Sequence, residues 1–255
     1  MTALEKKSVA PPRNPIVVIP ARMASSRLPG KPLADIRGEP MIVHVWRRAC
    51  EADLGPVFVA CAEEEIADAV RDAGGRVVLT RPDHPSGSDR IFEAVQKLDP
   101  DSRYDAVVNI QGDLPTIGAK EVRAVFAPLE ASAGVDIATL VCKIKDEREI
   151  NDPNVVKAAL AAEPGAKIGR ALYFSRNAIP SGPGPLYHHI GLYAFRREAL
   201  TRFVGLPPGV LERRERLEQL RALENGMRID CALIDTVPLG VDTSADLERA
   251  CALLR

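Results

Sequence analysis

The stretch of sequence that decides the fold is Ile16–Leu33, which reads IVVIPARMASSRLPGKPL. Its first four residues, Ile16–Ile19, are all β-branched and stand between two prolines. Such a run predicts a short strand buried on both faces, as in a parallel sheet. The residues that follow, 20–33, contain three prolines, one glycine and two serines, which predicts a loop.

The loop after this strand is basic, with Arg22, Arg27 and Lys31 but no acidic residue before Asp35. Ligands of open α/β sheets bind beyond the C-terminal ends of the strands, and cations with free backbone N–H groups at that place suit a polyphosphate. Prolines on both sides of Lys31 restrict its backbone, which a merely solvated lysine would not require. We therefore predict an anion site. No Ser or Thr follows Lys31, which argues against a P-loop NTPase.

The composition of the chain is that of an ordinary globular protein. Its 255 residues are 46% hydrophobic and 27% charged, which excludes overall disorder and membrane spanning. The formal net charge of −1 gives no general attraction to nucleic acid or to an anionic membrane, so we expect neither as a partner. The length fits one α/β domain, which we assign to residues 14–255.

Two further features concern the compartment. Residues 1–13 are expected to form a flexible tail, because they contain no apolar run long enough for a signal peptide and include Pro11-Pro12. The five cysteines are scattered, with no Cys-x-x-Cys pair, which favours reduced thiols over disulfides or a zinc site. Both features predict a protein that works in the cytoplasm.

Helical and extended patterns alternate along the next part of the chain. Such alternation predicts βαβ units, a mainly parallel central sheet and a Rossmann-like three-layer α/β sandwich. Residues from about 160 to 228 are expected to form a small excursion, whose exposed strands would pair with a second copy of the chain as a homodimer. The predicted elements are helix 40–52, strand 57–61, helix 63–73, strand 77–79, a helix to about residue 98, strands 105–110, 136–144, 171–174 and 190–195, helix 206–225, strand 229–234 and helix 244–254.

A second loop with ligand-binding character precedes the helix that ends near residue 98. Residues 86–90 read Ser-Gly-Ser-Asp-Arg. Ser86 or Ser88 can cap this helix by accepting a hydrogen bond from its first turn. The free N–H groups of that turn would then point into the same crevice as the first loop.

Two aspartates are candidate metal ligands. Asp113 follows Gln111-Gly112 at the end of the predicted central strand. A carboxylate at that strand end, facing a cationic phosphate loop, predicts a ligand of Mg²⁺ whose other ligands are phosphate oxygens. Asp242 lies just before the last helix and is either its N-cap or a second metal ligand.

These motifs resemble those of the cytidylyltransferases that activate 3-deoxy-D-manno-octulosonate (Kdo) as its CMP ester. The resemblance extends in eight ordered blocks over most of the chain, which is far more specific than any one block. They are Pro20-Ala-Arg, Arg27-Leu-Pro-Gly-Lys-Pro-Leu, His84 to Arg90, Gln111-Gly-Asp, Leu172-Tyr-Phe-Ser-Arg, His189-Ile-Gly-Leu-Tyr, Leu217-Glu-Gln-Leu-Arg and Gly240-Val-Asp-Thr. The resemblance implies a nucleotide-diphospho-sugar transferase-like fold, a homodimer, and transfer of CMP from CTP to Kdo for lipopolysaccharide biosynthesis.

The resemblance also implies roles for individual residues. Arg22, Lys31 and Asp113 are the expected catalytic residues, and Asp113 and Asp242 the expected ligands of Mg²⁺. Kdo carries a carboxylate and many hydroxyls, so its site needs a cation and several neutral hydrogen-bonding groups. The expected nucleotide site consists of Pro20, Ala21, Arg22, Arg27, Lys31, Ser86, Gly87, Ser88 and Arg90. The expected sugar site consists of Gln111, Tyr173, Arg176, His189, Tyr193, Glu218 and Gln219.

One position departs from the family pattern, which continues Asp-Glu-Pro where this chain has Asp113-Leu114-Pro115. The chain thus lacks one carboxylate beside the expected metal, which leaves 8-amino-Kdo open as an alternative acceptor. A sialic acid is another alternative, since the enzymes that activate sialic acids share a similar basic loop. A module that binds nucleotide without catalysis is the alternative from a different class. Lys31, Asp113 and Asp242 argue against it, because a pure binder does not need paired metal carboxylates.

Overall fold

A nine-stranded sheet organises the part of the chain that this computed structural model describes, residues 10–25 and 27–254. Residues 1–9 of the predicted tail, 1–13, lie outside the described residues. Its last residue is attached to the sheet, because the Arg13 N–H donates to the Asp105 carboxylate at 2.8 Å. Among the described residues, no helix has both the length and the apolar composition required to cross a membrane.

Strands and helices alternate as far as residue 131 and then give way mainly to strands. The strands are β1 (Pro15–Pro20), β2 (Asp35–Ile36), β3 (Glu39–Pro40), β4 (Val57–Cys61), β5 (Arg76–Leu79), β6 (Ala106–Asn109), β7 (Ile137–Lys143), β8 (Lys157–Ala161), β9 (Ile168–Ser175), β10 (Tyr187–Arg196) and β11 (Ile229–Ile234). The helices are α1 (Met41–Glu51), α2 (Glu64–Asp72), α3 (Gly87–Leu98), α4 (Ala119–Ala131), α5 (Arg197–Val204), α6 (Val210–Glu215), α7 (Leu220–Glu224) and α8 (Ser244–Leu253). The elements predicted before residue 144 are all present, with ends that differ by a few residues at most.

The order of the strands explains where the two ligand loops meet. Across the sheet the order is β5-β4-β1-β6-β10-β7-β11-β9-β8. From β1 the chain runs outward to β4 and β5 and then returns to place β6 on the other side of β1, with all four strands parallel. The loops after β1 and β6 therefore leave the same edge of the sheet at the point where the strand order reverses. Ligands of such sheets bind at this point.

The second half of the sheet is mixed in direction. β10 lies antiparallel between β6 and β7, β7 and β11 are parallel, and β9 and β8 complete the sheet as antiparallel strands. The predicted excursion, 160–228, thus contributes β9 and β10 to the central sheet. Tyr193 of β10 stands opposite Asn109 of β6. Polar residues from the two halves of the chain are therefore neighbours in the sheet.

An irregularity in β10 keeps two candidate residues on one face of the sheet. His189 pairs with Val141 and Tyr193 pairs with Thr139, so residues 191–192 have no partner on β7. Side chains alternate with a period of two, and an insertion of two residues therefore preserves which face they occupy. The rings of His189 and Tyr193 lie 5.7 Å apart between centroids. This confirms the prediction that both side chains point the same way.

Helices cover both faces of the sheet, which gives the predicted three layers. One face packs against α1, α2 and α4 through buried residues that include Val45, Ile66 and Leu129. The other face packs against α3, α5 and α7 through residues that include Ile91 and Phe203. Because both faces are covered, a central strand such as β1 has no solvent side, and its sequence is uniformly apolar.

The charged segment 206–225 does not form the single helix that we predicted. It forms α6 and α7, because Arg216 takes a left-handed conformation with φ of 57° and ends α6. Glu212 and Glu215 belong to a run of mixed charge that indicates a mostly solvated face with internal pairs, but both are partly buried. Glu212 forms a largely buried ion pair with Arg221, at 2.6 Å, and Glu215 accepts hydrogen bonds from β9 and the residue after it. The partner of Glu212 thus lies within the same charged segment, whereas the partners of Glu215 lie at β9, where the charge pattern alone did not place them.

Asp99, just after α3, is a fully buried carboxylate that ties α3 to α5. It accepts hydrogen bonds from the N–H groups of Arg103 and Tyr104, both at 2.9 Å, and from Arg197 Nη1 at 2.6 Å. We expect Asp99→Asn to lower the free energy of unfolding by about 3 kcal/mol, because it leaves the Arg197 charge without its buried partner. Chemical denaturation of the variant and the natural chain measures this difference.

The same carboxylate predicts a pH dependence of stability. Burial alone would raise the pKa of Asp99, but the two backbone donors and Arg197 together outweigh burial and lower it. The contribution of Asp99 to stability is therefore present above the unfolded pKa of about 4 and is lost as the pH falls through the lower folded pKa. Exposed Asp101→Asn is the matched control and should change neither the stability nor this pH profile. Equal losses in the two variants would contradict the prediction.

Candidate active site

A crevice of about 380 Å³ opens at the C-terminal ends of β1 and β6, beside the first turn of α3. Segments that are far apart in the sequence line it, and the lining residues are Pro20, Ala21, Arg22, Ala24, Ser25, Arg27, Lys31, Pro32, His84, Ser86, Gly87, Arg90, Gln111, Gly112, Asp113 and Asp242. Every residue that we predicted for the nucleotide site lies here except Ser88. Both predicted metal ligands and one predicted sugar-binding residue, Gln111, lie here as well.

Lys31 is the central charge of this crevice. Gly30 takes a left-handed conformation with φ of 67° and starts a 3₁₀ turn over Lys31–Leu33. From this turn, Lys31 Nζ lies 2.7 Å from Asp113 Oδ2 and 3.2 Å from Asp242 Oδ1. Burial alone would lower the pKa of Lys31, but the two carboxylates raise it overall, so the side chain is an ammonium. One cation thus joins two aspartates that come from distant parts of the sequence.

Asp242 reaches this cation because the backbone before α8 is bound to the loop after β6. The Val241 N–H donates to the Asp113 carbonyl oxygen at 2.9 Å. The N-cap of α8 is Thr243, whose hydroxyl oxygen accepts the Asp246 N–H at 3.2 Å. Asp242 is therefore not the N-cap, and its carboxylate pairs with Lys31 and, at 3.1 Å, with Arg27.

The close approach of the β1 and β6 loops depends on Gly112. A Cβ at this position would lie 2.8 Å from the carbonyl oxygen of Pro20, closer than real Cβ contacts. The backbone on both sides is fixed by the parallel pairing of β1 and β6. A side chain here would have to separate the two loops and would move Asp113 away from Lys31.

The second loop presents the first turn of α3 to the crevice. Ser86 is the N-cap, with its oxygen accepting the Asp89 N–H at 3.2 Å. Ser88, which we predicted for the nucleotide site, points elsewhere and donates its hydroxyl to Glu218 Oε2 at 3.1 Å. Successive residues of a helix point about 100° apart, so Ser86 and Ser88 cannot both face the crevice.

Arg90 anchors this loop through side-chain hydrogen bonds. Its buried guanidinium donates from Nη1 to Thr80 Oγ1 at 2.6 Å and to the carbonyl oxygen of Arg81 at 3.2 Å. Burial lowers the pKa of Arg90. No carboxylate of the described residues lies within ion-pair distance of this guanidinium, so its positive charge adds to the anion-binding character of the crevice.

A polar cluster lies between α3 and β10. Ser88, Tyr193, Glu218 and Gln219 line one small cavity there. Glu218 Oε1 and Gln219 Nε2 are buried and have no hydrogen-bond partner among the described residues, and burial raises the pKa of Glu218. Buried polar atoms without partners are unfavourable unless water or a ligand satisfies them. The cluster therefore has unused hydrogen-bonding groups beside a cavity of about 10 Å³, which is the size of one water.

Tyr173 and Arg176, also predicted for the sugar site, form a separate group around Glu215. Tyr173 donates its hydroxyl to Glu215 Oε1 at 3.4 Å, and Ser175 donates to the same oxygen at 2.9 Å. The Arg176 N–H donates to Glu215 Oε2 at 3.1 Å. Phe174 lies between the two groups, with its ring 4.7 Å from that of His189. The predicted sugar residues thus lie apart from one another, with Gln111 in the crevice, Tyr193, Glu218 and Gln219 in the polar cluster, and Tyr173 and Arg176 around Glu215.

Comparison with known proteins agrees with this geometry. The family model described as Cytidylyltransferase matches residues 16–229, which span β1, both ligand loops and the start of β11. The chain belongs to the cytidylyltransferase family.

Individual relatives show which kind of cytidylyltransferase this chain resembles. It is 69% identical over 242 residues to the 3-deoxy-manno-octulosonate cytidylyltransferase of Paramagnetospirillum magneticum, with 95% of this chain and 98% of that protein covered. It is 69% identical to the protein of the same description from Rhodospirillum centenum, with 96% and 95% covered. A solved structure of CMP:2-keto-3-deoxy-manno-octonic acid synthetase complexed with CTP has a TM-score of 0.87 at 37% identity, with 94% of this chain and 98% of that one covered. The predicted family and fold class are confirmed.

His189 is a neutral hydrogen-bonding residue in this cytidylyltransferase. Burial, and to a smaller extent the neighbouring His188, lower the pKa of His189 to about 3. The Thr139 hydroxyl donates its single proton to the carbonyl oxygen of Leu192 at 2.8 Å, so His189 Nε2–H donates to Thr139 Oγ1 at 2.9 Å. His189 Nδ1 is then an acceptor that suits a sugar hydroxyl. Because His189 is neutral, Arg176 is the predicted sugar-binding residue that supplies a positive charge.

Asp113 and Asp242 fit the ligands that Mg²⁺ prefers. Both carboxylates reach the same ammonium of Lys31, so they face one point of the crevice, and their side chains are 33% and 45% exposed. Mg²⁺ is usually bound by one or two carboxylates together with substrate phosphates and water. Within the described ranges, no group of three or more His, Cys, Asp and Glu side chains is arranged to hold a metal. The remaining ligands would therefore come from the nucleotide and from water.

Three residues with a place at this site were not predicted from the sequence. Glu63 Oε1 accepts the Met23 N–H at 3.1 Å and holds the first loop, and Glu215 organises the group around β9. Both lie in highly charged segments, 63–65 and 212–216, whose charge indicates solvent exposure, so no sequence signal marked them. Asn109 Oδ1 is buried without a partner in the strand beside Tyr193. A polar residue in an otherwise apolar strand was a signal that could have found it.

Proposed function

We propose that this cytidylyltransferase transfers CMP from CTP to Kdo and releases pyrophosphate. The observation that carries the proposal is the meeting of Lys31 with Asp113 and Asp242 in a crevice lined by Arg22 and Arg27. Two carboxylates beside three cations suit a metal-bound triphosphate, whereas a neutral ligand would need neither and a cationic ligand would not need the three cations. The relatives described as 3-deoxy-manno-octulosonate cytidylyltransferases support the choice of substrates.

The reaction joins two anions, and the residues of the crevice are suited to bring them together. The 2-hydroxyl oxygen of Kdo attacks the α-phosphorus of CTP and its proton passes to solvent, the bond from that phosphorus to the bridging oxygen of the β-phosphate breaks, and pyrophosphate leaves. The step requires alignment of the two substrates and neutralisation of the charge that develops on the phosphate oxygens. Arg22, Arg27 and Lys31 supply positive charge at the triphosphate. No covalent intermediate with the protein is required.

Magnesium belongs to this proposal as the expected cofactor. Asp113 and Asp242 would hold the ion, which when bound supplies positive charge to the phosphate oxygens and orients the triphosphate. Leu114 stands where the resembling family has a glutamate and contributes no carboxylate. Lys31 is charged in this structure and lies between the two aspartates, so it can exchange a carboxylate for a phosphate oxygen when the nucleotide binds.

The acceptor site is proposed to extend from Gln111 in the crevice to the polar cluster and the group around Glu215. Arg176 would bind the Kdo carboxylate. Its Nε donates to the Glu215 carbonyl oxygen at 3.0 Å and its Nη1 to that of Pro153 at 2.8 Å, while no carboxylate of the described residues forms an ion pair with it. The partnerless atoms of Glu218 and Gln219, and the acceptor nitrogen of His189, would serve hydroxyl groups, as would Tyr193.

A pyrophosphate-release assay tests the proposal. The full chain is incubated with Mg²⁺, each ribonucleoside triphosphate in turn, and Kdo, 8-amino-Kdo or N-acetylneuraminic acid as acceptor. Release with CTP and Kdo supports the proposal, and a higher kcat/KM with either other acid would replace Kdo as the acceptor. Release with a hexose phosphate instead, or none with any pair, would overturn it. Chelation of divalent cations is expected to abolish release, and added Mg²⁺ to restore it.

We further propose that the protein serves lipopolysaccharide biosynthesis as a homodimer in the cytoplasm. All five cysteines are unpaired thiols, which suits a reducing compartment. Leu172 of β9 is 57% exposed and lies near the strand edge of the sheet, where a second copy could cover it. Sedimentation velocity of the purified chain distinguishes a dimer from a monomer.

A further inference from the structure

Lys157, the first residue of β8, is a fully buried lysine outside the nucleotide crevice. Its ammonium donates to three backbone carbonyl oxygens, those of Asp152 and Val155 at 2.7 Å and that of Arg176 at 2.8 Å. These three bonds use all the protons of the ammonium. A buried cation of this kind is unfavourable unless every proton finds an acceptor, so the site is built around the charge.

The three carbonyl oxygens belong to two segments that Lys157 joins. Asp152 and Val155 lie in the turn that leads into β8, and Arg176 directly follows β9. β8 and β9 already pair at this point, with Lys157 opposite Ser175. The strand pairing therefore fixes β8 against β9, and the lysine adds the attachment of the preceding turn.

The same turn receives the side chain of Arg176. Arg176 Nη1 donates to the Pro153 carbonyl oxygen at 2.8 Å, and Nε donates to the Glu215 carbonyl oxygen at 3.0 Å. The guanidinium is thus held on one side by the turn and on the other by the end of α6. Arg176 Nη2 makes no hydrogen bond to the described residues, which leaves this end of the guanidinium for a ligand.

We propose that Lys157 is a positioning residue that fixes the turn before β8 and, through Pro153, aims the free end of the Arg176 guanidinium at the acceptor. The inference rests on the proposed role of Arg176 in binding the acceptor carboxylate. Without the ammonium, the carbonyl oxygens of Val155 and Arg176 lose this donor and that of Asp152 keeps only the Val155 N–H at 3.2 Å, so the turn has to move to rehydrate them. Arg176 then loses one of the two contacts that orient it. The nucleotide crevice contains none of these residues and keeps its geometry.

Lys157→Met keeps the length and apolar stem of the side chain and removes the charge. We expect the KM for Kdo to rise by about tenfold or more while the KM for CTP is unchanged, because a small misplacement of an orienting cation weakens one substrate only. Ile66→Ala is the control, a buried change in α2, which packs on β4 and β5 at the other end of the sheet from β8. It should lower Tm without this selective change. A parallel rise in both KM values for Lys157→Met would overturn the proposal.

A double-mutant cycle separates positioning from a merely structural role. If Lys157 acts through Arg176, then Lys157→Met has little further effect on the KM for Kdo in an Arg176→Ala background. Independent, additive effects would contradict the proposal. In Lys157→Ala, added propylammonium should bind the same three carbonyl oxygens and restore the KM for Kdo. The same cation should not change the KM of Arg176→Ala.

One readout is independent of turnover. The ¹H–¹⁵N signal of Arg176 Nε, assigned by its loss in Arg176→Ala, should shift or broaden in Lys157→Met and stay unchanged in Ile66→Ala. An unchanged signal in Lys157→Met would overturn the positioning role whatever the kinetics show. If the natural chain releases no pyrophosphate from CTP and Kdo while the signal responds as expected, the proposed function fails and the contact between Lys157 and Arg176 is supported.

Discussion

Asp113→Asn is expected to lower kcat by about a hundredfold or more, because it removes a negative charge from the point where the metal-bound triphosphate is held. Asparagine keeps the size of the side chain and the Val241 N–H···O contact to the backbone of residue 113, so the loop should stay in place. The fall in kcat then measures the contribution of the carboxylate charge itself. Steady-state kinetics with CTP and Kdo at several Mg²⁺ concentrations measure it, and the variant should require more Mg²⁺ for half-maximal rate.

Asp235→Asn is the matched control for this change. Its side chain is 86% exposed and lies outside the crevice, where it contacts Lys120 at 3.4 Å. A surface ion pair of this kind contributes little, so kcat and the Mg²⁺ requirement should both stay at the level of the natural chain. Near-normal turnover of Asp113→Asn would remove this carboxylate from the mechanism.

Lys31→Ala is expected to cause a loss of similar size, about a hundredfold or more in kcat, for the opposite reason. The variant lacks the ammonium that neutralises charge on the phosphate oxygens, and it leaves Asp113 without its cation while Asp242 keeps Arg27. The two carboxylates raise the pKa of Lys31 above its ordinary value, so the charge is present across the whole neutral range and activity should show no titration of Lys31 there.

Lys120→Ala serves as the control for Lys31→Ala. The Lys120 side chain is 77% exposed, and its removal deletes a lysine charge of the same kind from the surface. Single-turnover measurement of pyrophosphate release separates the chemical step from substrate binding. If Lys31→Ala changes only the KM for CTP and leaves the chemical step intact, Lys31 binds the nucleotide without stabilising the transition state.

The position of Lys31 explains how a site with this much charge stays folded without ligands. Arg27 and Lys31 both contact Asp242, and Lys31 also contacts Asp113, so each carboxylate has a cation near it. Each contact is partly exposed, which keeps its energy small and its rearrangement easy. The same groups can therefore release one another when phosphate oxygens enter the crevice.

The sequence by itself determined the nucleotide half of this protein. The apolar run Ile16–Ile19, the proline-framed Lys31 and the glycine before Asp113 are local features, and the structure places all of them where the patterns predicted. Short-range rules are sufficient here, because strand ends, turn residues and caps are set by neighbours in the chain. The alternation of strands and helices then brings the loops to one edge of the sheet.

Only the tertiary structure decided the remaining questions, because each depends on partners that are distant in the sequence. Asp242 had two interpretations, with the metal ligand favoured over the N-cap, until the cap proved to be Thr243 and the Asp242 carboxylate proved to lie beside Lys31. Glu215 had the charge pattern of a solvated residue and is instead a hydrogen-bond acceptor for β9. Lys157 had no distinctive local signal at all. Whether a charged side chain is solvated or buried is set by which backbone groups and charges surround it, and strand order rather than local sequence places them there.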